Sequence, residues 1–246
     1  RTEHTIYSLL NLGSQLVIGT IAGGMHVIDL ESKKEVRHLK FHDKGIFHLA
    51  FIQPQNLVCA ACADGSISVW NATDWSLVRT LKISSRKVRR LAVNVSGSLM
   101  AAACGDGMVR VFETVNFALV QELDHKNEGV NSVAFFENDD LITGGKDAHL
   151  RTWAAHNGFE LKEDVPAHNF AIYDLIIEPN GNFLATVSRD KTVKIWPDCQ
   201  LESPIRLDRA KSEGHLNSVN VALWIPEENV LATAGDDRSI VLWKIT

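Results

Sequence analysis

Three groups of residues in this 246-residue chain could do chemistry. The first is a recurring trio of imidazole, hydroxyl and carboxylate: His125, Thr143 and Asp147; His168, Thr186 and Asp190; His215, Thr233 and Asp237. These are the parts of an acyl-transfer triad, in which the imidazole takes the hydroxyl proton and the carboxylate orients the imidazole. The second is Cys59 and Cys62, a CxxC pair that would suit disulfide exchange or zinc. The third is the basic run at 85–90, Ser-Arg-Lys-Val-Arg-Arg, which could hold a phosphate or an acidic peptide. Arrangement weakens the first two. An enzyme needs one triad, and this one recurs in register. The segment around Cys59 and Cys62 reads as a strand, where residues three apart point to opposite faces. No second CxxC completes a zinc set. Small buried residues in a reduced, cytoplasmic protein are the reading preferred for these cysteines.

The elements that position these residues follow from an internal repeat. Aromatic strand ends recur at Trp70, Phe112, Trp153, Trp196 and Trp243, with a degenerate copy ending at Ile28. The spacings of 42, 42, 41, 43 and 47 residues fit a four-stranded unit and are too long for leucine-rich or ankyrin repeats. His42, His125, His168 and His215 each stand 28 residues before their Trp, and Ser84 takes that place before Phe112. An aspartate lies six residues before each aromatic: Asp64, Asp106, Asp147, Asp190 and Asp237, with Ala22 in the first copy. Four residues before the aspartate come Thr143, Thr186 and Thr233, but Ala60 and Ala102 in earlier copies. Short β-branched segments punctuated by Asp-Gly and Asp-Asp pairs predict strands and tight turns. No amphipathic helix is expected.

The His…Asp…Trp pattern resembles WD40 repeats over nearly the whole chain. The resemblance implies an all-β propeller of four-stranded antiparallel blades in one domain, 1–246. Its repeats run at about 1–41, 42–83, 84–124, 125–167, 168–214 and 215–246. It also implies that His125–Thr143–Asp147–Trp153, His168–Thr186–Asp190–Trp196 and His215–Thr233–Asp237–Trp243 are structural hydrogen-bond networks. The aspartate that usually follows the Trp is replaced by Asn71, Glu113, Ala154, Pro197 and Lys244. After Trp243 only three residues remain, so the sixth blade is expected to lack its outer strand. Residues upstream of Arg1 are expected to supply that strand and a seventh blade.

By the same resemblance, partners bind where loops converge on one face. The expected positions are Tyr7, Phe47, Arg89, Asn131, Tyr173 and Asn220 on the first strands. Lys146, Arg189 and Asp236 stand before the structural aspartates, and Lys87 lies on the same side as Arg89. The extra residues at 208–214 are expected to form a loop on that face. The function implied is a non-catalytic scaffold that binds a protein or peptide with apolar and acidic groups. The alternatives are an enzyme or small-molecule binder using a central channel, or a subunit of a nucleic-acid-associated complex. His26, His48, His149 and His156 are scattered over three repeats and, with His38, show no metal-ligand spacing. No metal or cofactor is therefore expected. A net charge of −5 argues against general nucleic-acid binding, and no apolar run is long enough to span a membrane.

Overall fold

The computed structural model describes residues 4–126 and 128–245. The chain falls into two compact units, Arg1–Asn127 and Glu128–Thr246. The first holds three four-stranded sheets. Sheet 1 is β1 (Ile6–Asn11), β2 (Gln15–Thr20), β3 (Gly24–Asp29) and β4 (Lys34–Lys40). Sheet 2 is β5 (Ile46–Ile52), β6 (Leu57–Cys62), β7 (Ser66–Asn71) and β8 (Leu77–Lys82). Sheet 3 is β9 (Val88–Val93), β10 (Leu99–Cys104), β11 (Met108–Glu113) and β12 (Leu119–Asp124).

The second unit repeats the plan. Sheet 4 is β13 (Val130–Phe135), β14 (Leu141–Gly145), β15 (His149–Ala154) and β16 (Glu160–Pro166). Sheet 5 is β17 (Ile172–Ile177), β18 (Phe183–Ser188), β19 (Val193–Pro197) and β20 (Ile205–Leu207). Sheet 6 has three strands, β21 (Val219–Ile225), β22 (Val230–Gly235) and β23 (Ile240–Lys244). Each sheet is an up-and-down antiparallel meander, so each links its strands by short turns. The extra residues between β20 and β21 do not form a plain loop: Arg209–Ser212 closes one helical turn.

Packing explains the composition. Within each unit, consecutive sheets stack face to face and bury one apolar cluster per interface. Val17, Val27, Leu49 and Trp70 lie between sheets 1 and 2, and Ile67, Val69, Leu91 and Met100 between sheets 2 and 3. In the second unit Ile142, Leu150, Leu175 and Trp196 fill one interface and Val193, Ile195, Ala222 and Trp243 the next. A second strand covered on both faces cannot alternate polar and apolar residues. Accordingly Leu57–Cys62 and Phe183–Ser188 are buried at every position, and small residues let the neighbours approach. The fourth strands are largely exposed. Sheet 6 keeps an open apolar face, with Leu223 59%, Ile240 73% and Leu242 63% exposed.

The repeated polar residues tie strands together inside a sheet. In sheet 5, Trp196 Nε1 donates to Thr186 Oγ1 (3.0 Å), which lies 2.8 Å from His168 Nε2; His168 Nδ1 is 3.0 Å from Asp190 Oδ2. A carboxylate only accepts, so Nδ1 carries the proton and Nε2 accepts from the threonine hydroxyl. Sheet 6 repeats this through Trp243, Thr233, His215 and Asp237 at 2.8, 2.9 and 3.0 Å. In sheet 4, Trp153 donates to Thr143 (3.0 Å), while Asp147 accepts from Arg151 at 2.7 Å. Sheet 2 has Ala60 in the threonine position, and Ser68, directly across the strand pair, replaces the missing hydroxyl. Trp70 Nε1 donates to Ser68 Oγ (2.8 Å), which lies 2.8 Å from His42 Nε2. In sheet 3 the indole is gone. Ser84 donates to Asp106 at 2.9 Å, and Arg110 completes that carboxylate at 2.9 Å.

Candidate functional site

The first strand of every sheet breaks register once, at an equivalent place. The register slips between Ile6 and Ser8, Ile46 and His48, Val130 and Ser132, Ile172 and Asp174, and Val219 and Val221. In sheet 3 it slips between Val88 and Arg90. The unpaired residues are thus Tyr7, Phe47, Arg89, Asn131, Tyr173 and Asn220. A bulge leaves one residue outside the ladder and re-aims its side chain. The six positions expected to bind partners are therefore the six bulges.

In the first unit these bulges build a cluster. Tyr7 and Phe47 stack with ring centroids 5.1 Å apart and planes 14° from parallel. Two cations lie over the Phe47 ring, Lys87 Nζ at 5.3 Å and Arg89 Cζ at 5.6 Å from its centroid. Gly45 makes room, since a Cβ there would stand 3.1 Å from Tyr7 Cε2. Lys87 and Arg89, two apart on an extended segment, reach the same ring. Arg90 points elsewhere and lowers the pKa of His48 by its charge, second to desolvation of that ring. Each cation over an aromatic face contributes about 0.5–1 kcal/mol where exposed.

In the second unit the expected residues behave differently. Asn131 is 7% exposed, and its Nδ2 donates to Ile172 O at 2.7 Å. It is used between strands and is not offered to a partner. Asn220 and Asp236 bond each other (2.6 Å) on the surface. Tyr173 is half-buried and Lys146 exposed. Arg189 lies 5.8 Å over the exposed ring of Phe170, a partner that the repeat pattern does not mark.

The triad-like sets offer no nucleophile to a substrate. Thr143, Thr186 and Thr233 are at most 1% exposed, and each hydroxyl accepts a Trp N–H. Desolvation holds His168 below the usual imidazole range, against the pull of Asp190. The thiols are equally withdrawn. Burial pushes Cys59 up to about 12 and Cys62 up to about 11, and Cys62 Sγ donates to Lys44 O. A thiolate is the reactive and metal-binding form, and these conditions disfavour it.

Two features escape the sequence pattern. Asp174, 2% exposed, accepts from Ser132 Oγ (3.0 Å) in sheet 4 and from Ala222 N (3.2 Å) in sheet 6, bracing three first strands. And the histidines read as scattered are not all apart. His26 and His38 stack in sheet 1 with centroids 4.1 Å apart, beside Glu35. The repeat markers are absent from that copy, so nothing in the pattern flags them.

Comparisons with known proteins agree with this geometry. The family model "WD domain, G-beta repeat" matches residues 33–71, 159–197 and 209–244. The model "Anaphase-promoting complex subunit 4 WD40 domain" matches 56–138. Among curated proteins, Protein HIR1 of Yarrowia lipolytica is 25% identical over 50% of this chain and 15% of its own length. A probable cytosolic iron-sulfur protein assembly protein 1 of Candida glabrata is 32% identical over 42% of this chain and 33% of its own. Protein transport protein sec13 of Aspergillus oryzae is 28% identical over 42% and 37%. The chain thus spans well under half the length of each of these three relatives. With the repeat models falling on sheets whose Trp, hydroxyl, His and Asp residues bond in turn, the chain belongs to the WD40-repeat β-propeller family.

Proposed function

We propose that this chain is a non-catalytic interaction module that binds a protein or peptide carrying apolar and acidic groups. The observation that carries this reading is the Tyr7–Phe47 stack capped by Lys87 and Arg89. Aromatic rings bury apolar area at small entropy cost, and a guanidinium can bind a carboxylate through two hydrogen bonds. Relatives named for protein transport and for iron-sulfur protein assembly support the reading. Four free cysteines, three of them buried, suit a reducing, cytoplasmic setting. The net charge of −5 disfavours a nucleic-acid partner.

The test is a photo-crosslinking residue at Tyr7, compared with one at Val78 on the exposed fourth strand of sheet 2. Crosslinks from Tyr7 to a partner segment containing Asp or Glu, lost on Phe47→Ala with Arg89→Ala, support the module. Crosslinks from Val78 alone show that another surface binds.

The open face of sheet 6 favours a further blade, the seven-bladed reading. Leu242 and Ile240 of β23 correspond to Ile195 and Val193 of β19, which sheet 6 buries to 3% and 0% exposure. A further sheet would cover Leu223, Ile240 and Leu242 in the same way. Leu242→Asp is then expected to lower the thermal midpoint by several degrees. An unchanged midpoint would mean that this face is left to solvent.

A further inference from the structure

Sheet 1 lacks the residues that fill the other sheets. Ala22 stands where they carry the structural aspartate, and Ile28 where they carry Trp or Phe. The volume left behind is a pocket of about 640 Å³ whose lining includes His26, Ile28, Glu35 and His38.

His26 and His38 face each other across β3 and β4. Sheets 3 and 4 use this cross-strand place for opposite charges, Arg110 with Glu122 (2.7 Å) and Arg151 with Asp164 (3.2 Å). Two imidazoles gain no such attraction. Glu35, three residues before His38, would point to the other face of a regular strand. The register slips here: Val27 pairs with Arg37, but Ile28 pairs with Glu35, leaving Val36 as a bulge. That bulge returns Glu35 to the histidine side. Its Oε1 comes to 3.0 Å from His26 Nδ1 and 4.0 Å from His38 Nδ1. One donor atom from each of the three residues falls within a 4.8 Å circle.

We propose that His26, Glu35 and His38 form a zinc(II) site, with water completing the coordination. Two imidazoles and one carboxylate are a donor set that zinc accepts, at about 2.0–2.2 Å from the metal. Calcium and magnesium prefer oxygen donors throughout. The His26 side chain is 13% exposed, while Glu35 and His38 are 44% and 38% exposed, so the inner ligand is fixed and the outer side stays open to water. Lys33 and Lys40 at the rim are exposed, so water screens their repulsion of a cation. The site does not depend on the peptide-binding reading.

Untagged, chelator-treated protein is titrated with cobalt(II) and then zinc(II), reading ligand-field absorbance and imidazole nitrogen shifts. One equivalent of cobalt should give a saturable band that zinc displaces, with metal-bound shifts at His26 and His38. Glu35→Gln should weaken affinity by more than about tenfold, since even partners of ligands act on that scale. His26→Asn with His38→Asn should remove the band, whereas Arg37→Gln should keep it. Thermal midpoints in metal-free buffer establish that each variant folds, and Glu35→Gln on the exposed β4 is the least disruptive. No saturable band, or a band that survives the double variant and disappears in Cys62→Ser, overturns the proposal. The second pattern would place the metal at the His42, Cys62 and Asp64 group instead.

Discussion

A buried indole needs an acceptor for its N–H, and in this chain the acceptor is a hydroxyl on a neighbouring strand. The hydroxyl in turn donates to an imidazole held by a carboxylate. Trp196 shows the whole series and is 2% exposed. Trp196→Ala removes a large core volume and leaves Thr186 without its donor. Truncations of this kind cost about 3–5 kcal/mol, read as a shift in the denaturant midpoint. A midpoint within error of the parent would show that the indole is not a structural member. Sheet 3 is the natural counterpart: Phe112 has no N–H, and Ala102 beside it offers no hydroxyl. Donor and acceptor are lost together there, which leaves no buried polar group stranded.

At the scale of the element, two bulges in a sheet matter more than its length. The bulge in each first strand turns out Tyr7, Phe47 and Arg89, and the bulge at Val36 turns Glu35 toward the two histidines. Turns between second and third strands are equally constrained. Gly65 has φ +89°, and a Cβ there would meet Ser84 O at 2.1 Å and Arg86 O at 2.6 Å. The left-handed conformation alone costs an L-residue roughly 1–2 kcal/mol, and the overlap adds to it. Gly158 has φ +69° with nothing within 4 Å of a Cβ. Gly65→Ala should therefore lower the thermal midpoint clearly more than Gly158→Ala. Equal shifts would mean that the turn is free to move off the segment after β8.

At the scale of the whole molecule, buried and half-buried histidines in both units set the response to acid. His42, His48 and His168 are all held below 6.5, chiefly by desolvation. Below pH 6.5 the unfolded chain takes up protons that the folded chain refuses, so stability is complete above 6.5 and declines as pH falls toward the folded values. Asp190 adds to the decline at lower pH. Burial opposes its charge, but the bonds from His168 and Thr192 outweigh that and keep it ionised below its ordinary 3.8. Thermal midpoints should thus hold from pH 7.5 to about 6.5, fall from there to 5 and steepen below 4. A midpoint that rises between 7.5 and 5 would contradict the direction of these shifts.

Much of the fold was legible in the chain itself. Markers in fixed register, with the family resemblance they carry, announced repeated four-stranded sheets and the polar residues inside them, because each sheet solves the same packing problem with similar residue types, although the first copy keeps neither the aspartate nor the aromatic. The positions that prove to be bulges were legible only through the family resemblance, as places for partners and not as bulges. What the residues at those positions do was not. Asn131 and Tyr7 occupy equivalent places, yet one is buried against a carbonyl and the other stacks on Phe47. That difference depends on which side chain the next sheet presents. Ser68 replacing the hydroxyl missing at Ala60 depends on which residue lies across the strand pair. The meeting of His26, Glu35 and His38 depends on a one-residue slip between β3 and β4, and a slip of register changes the face a side chain takes without changing the sequence spacing that a reader can count.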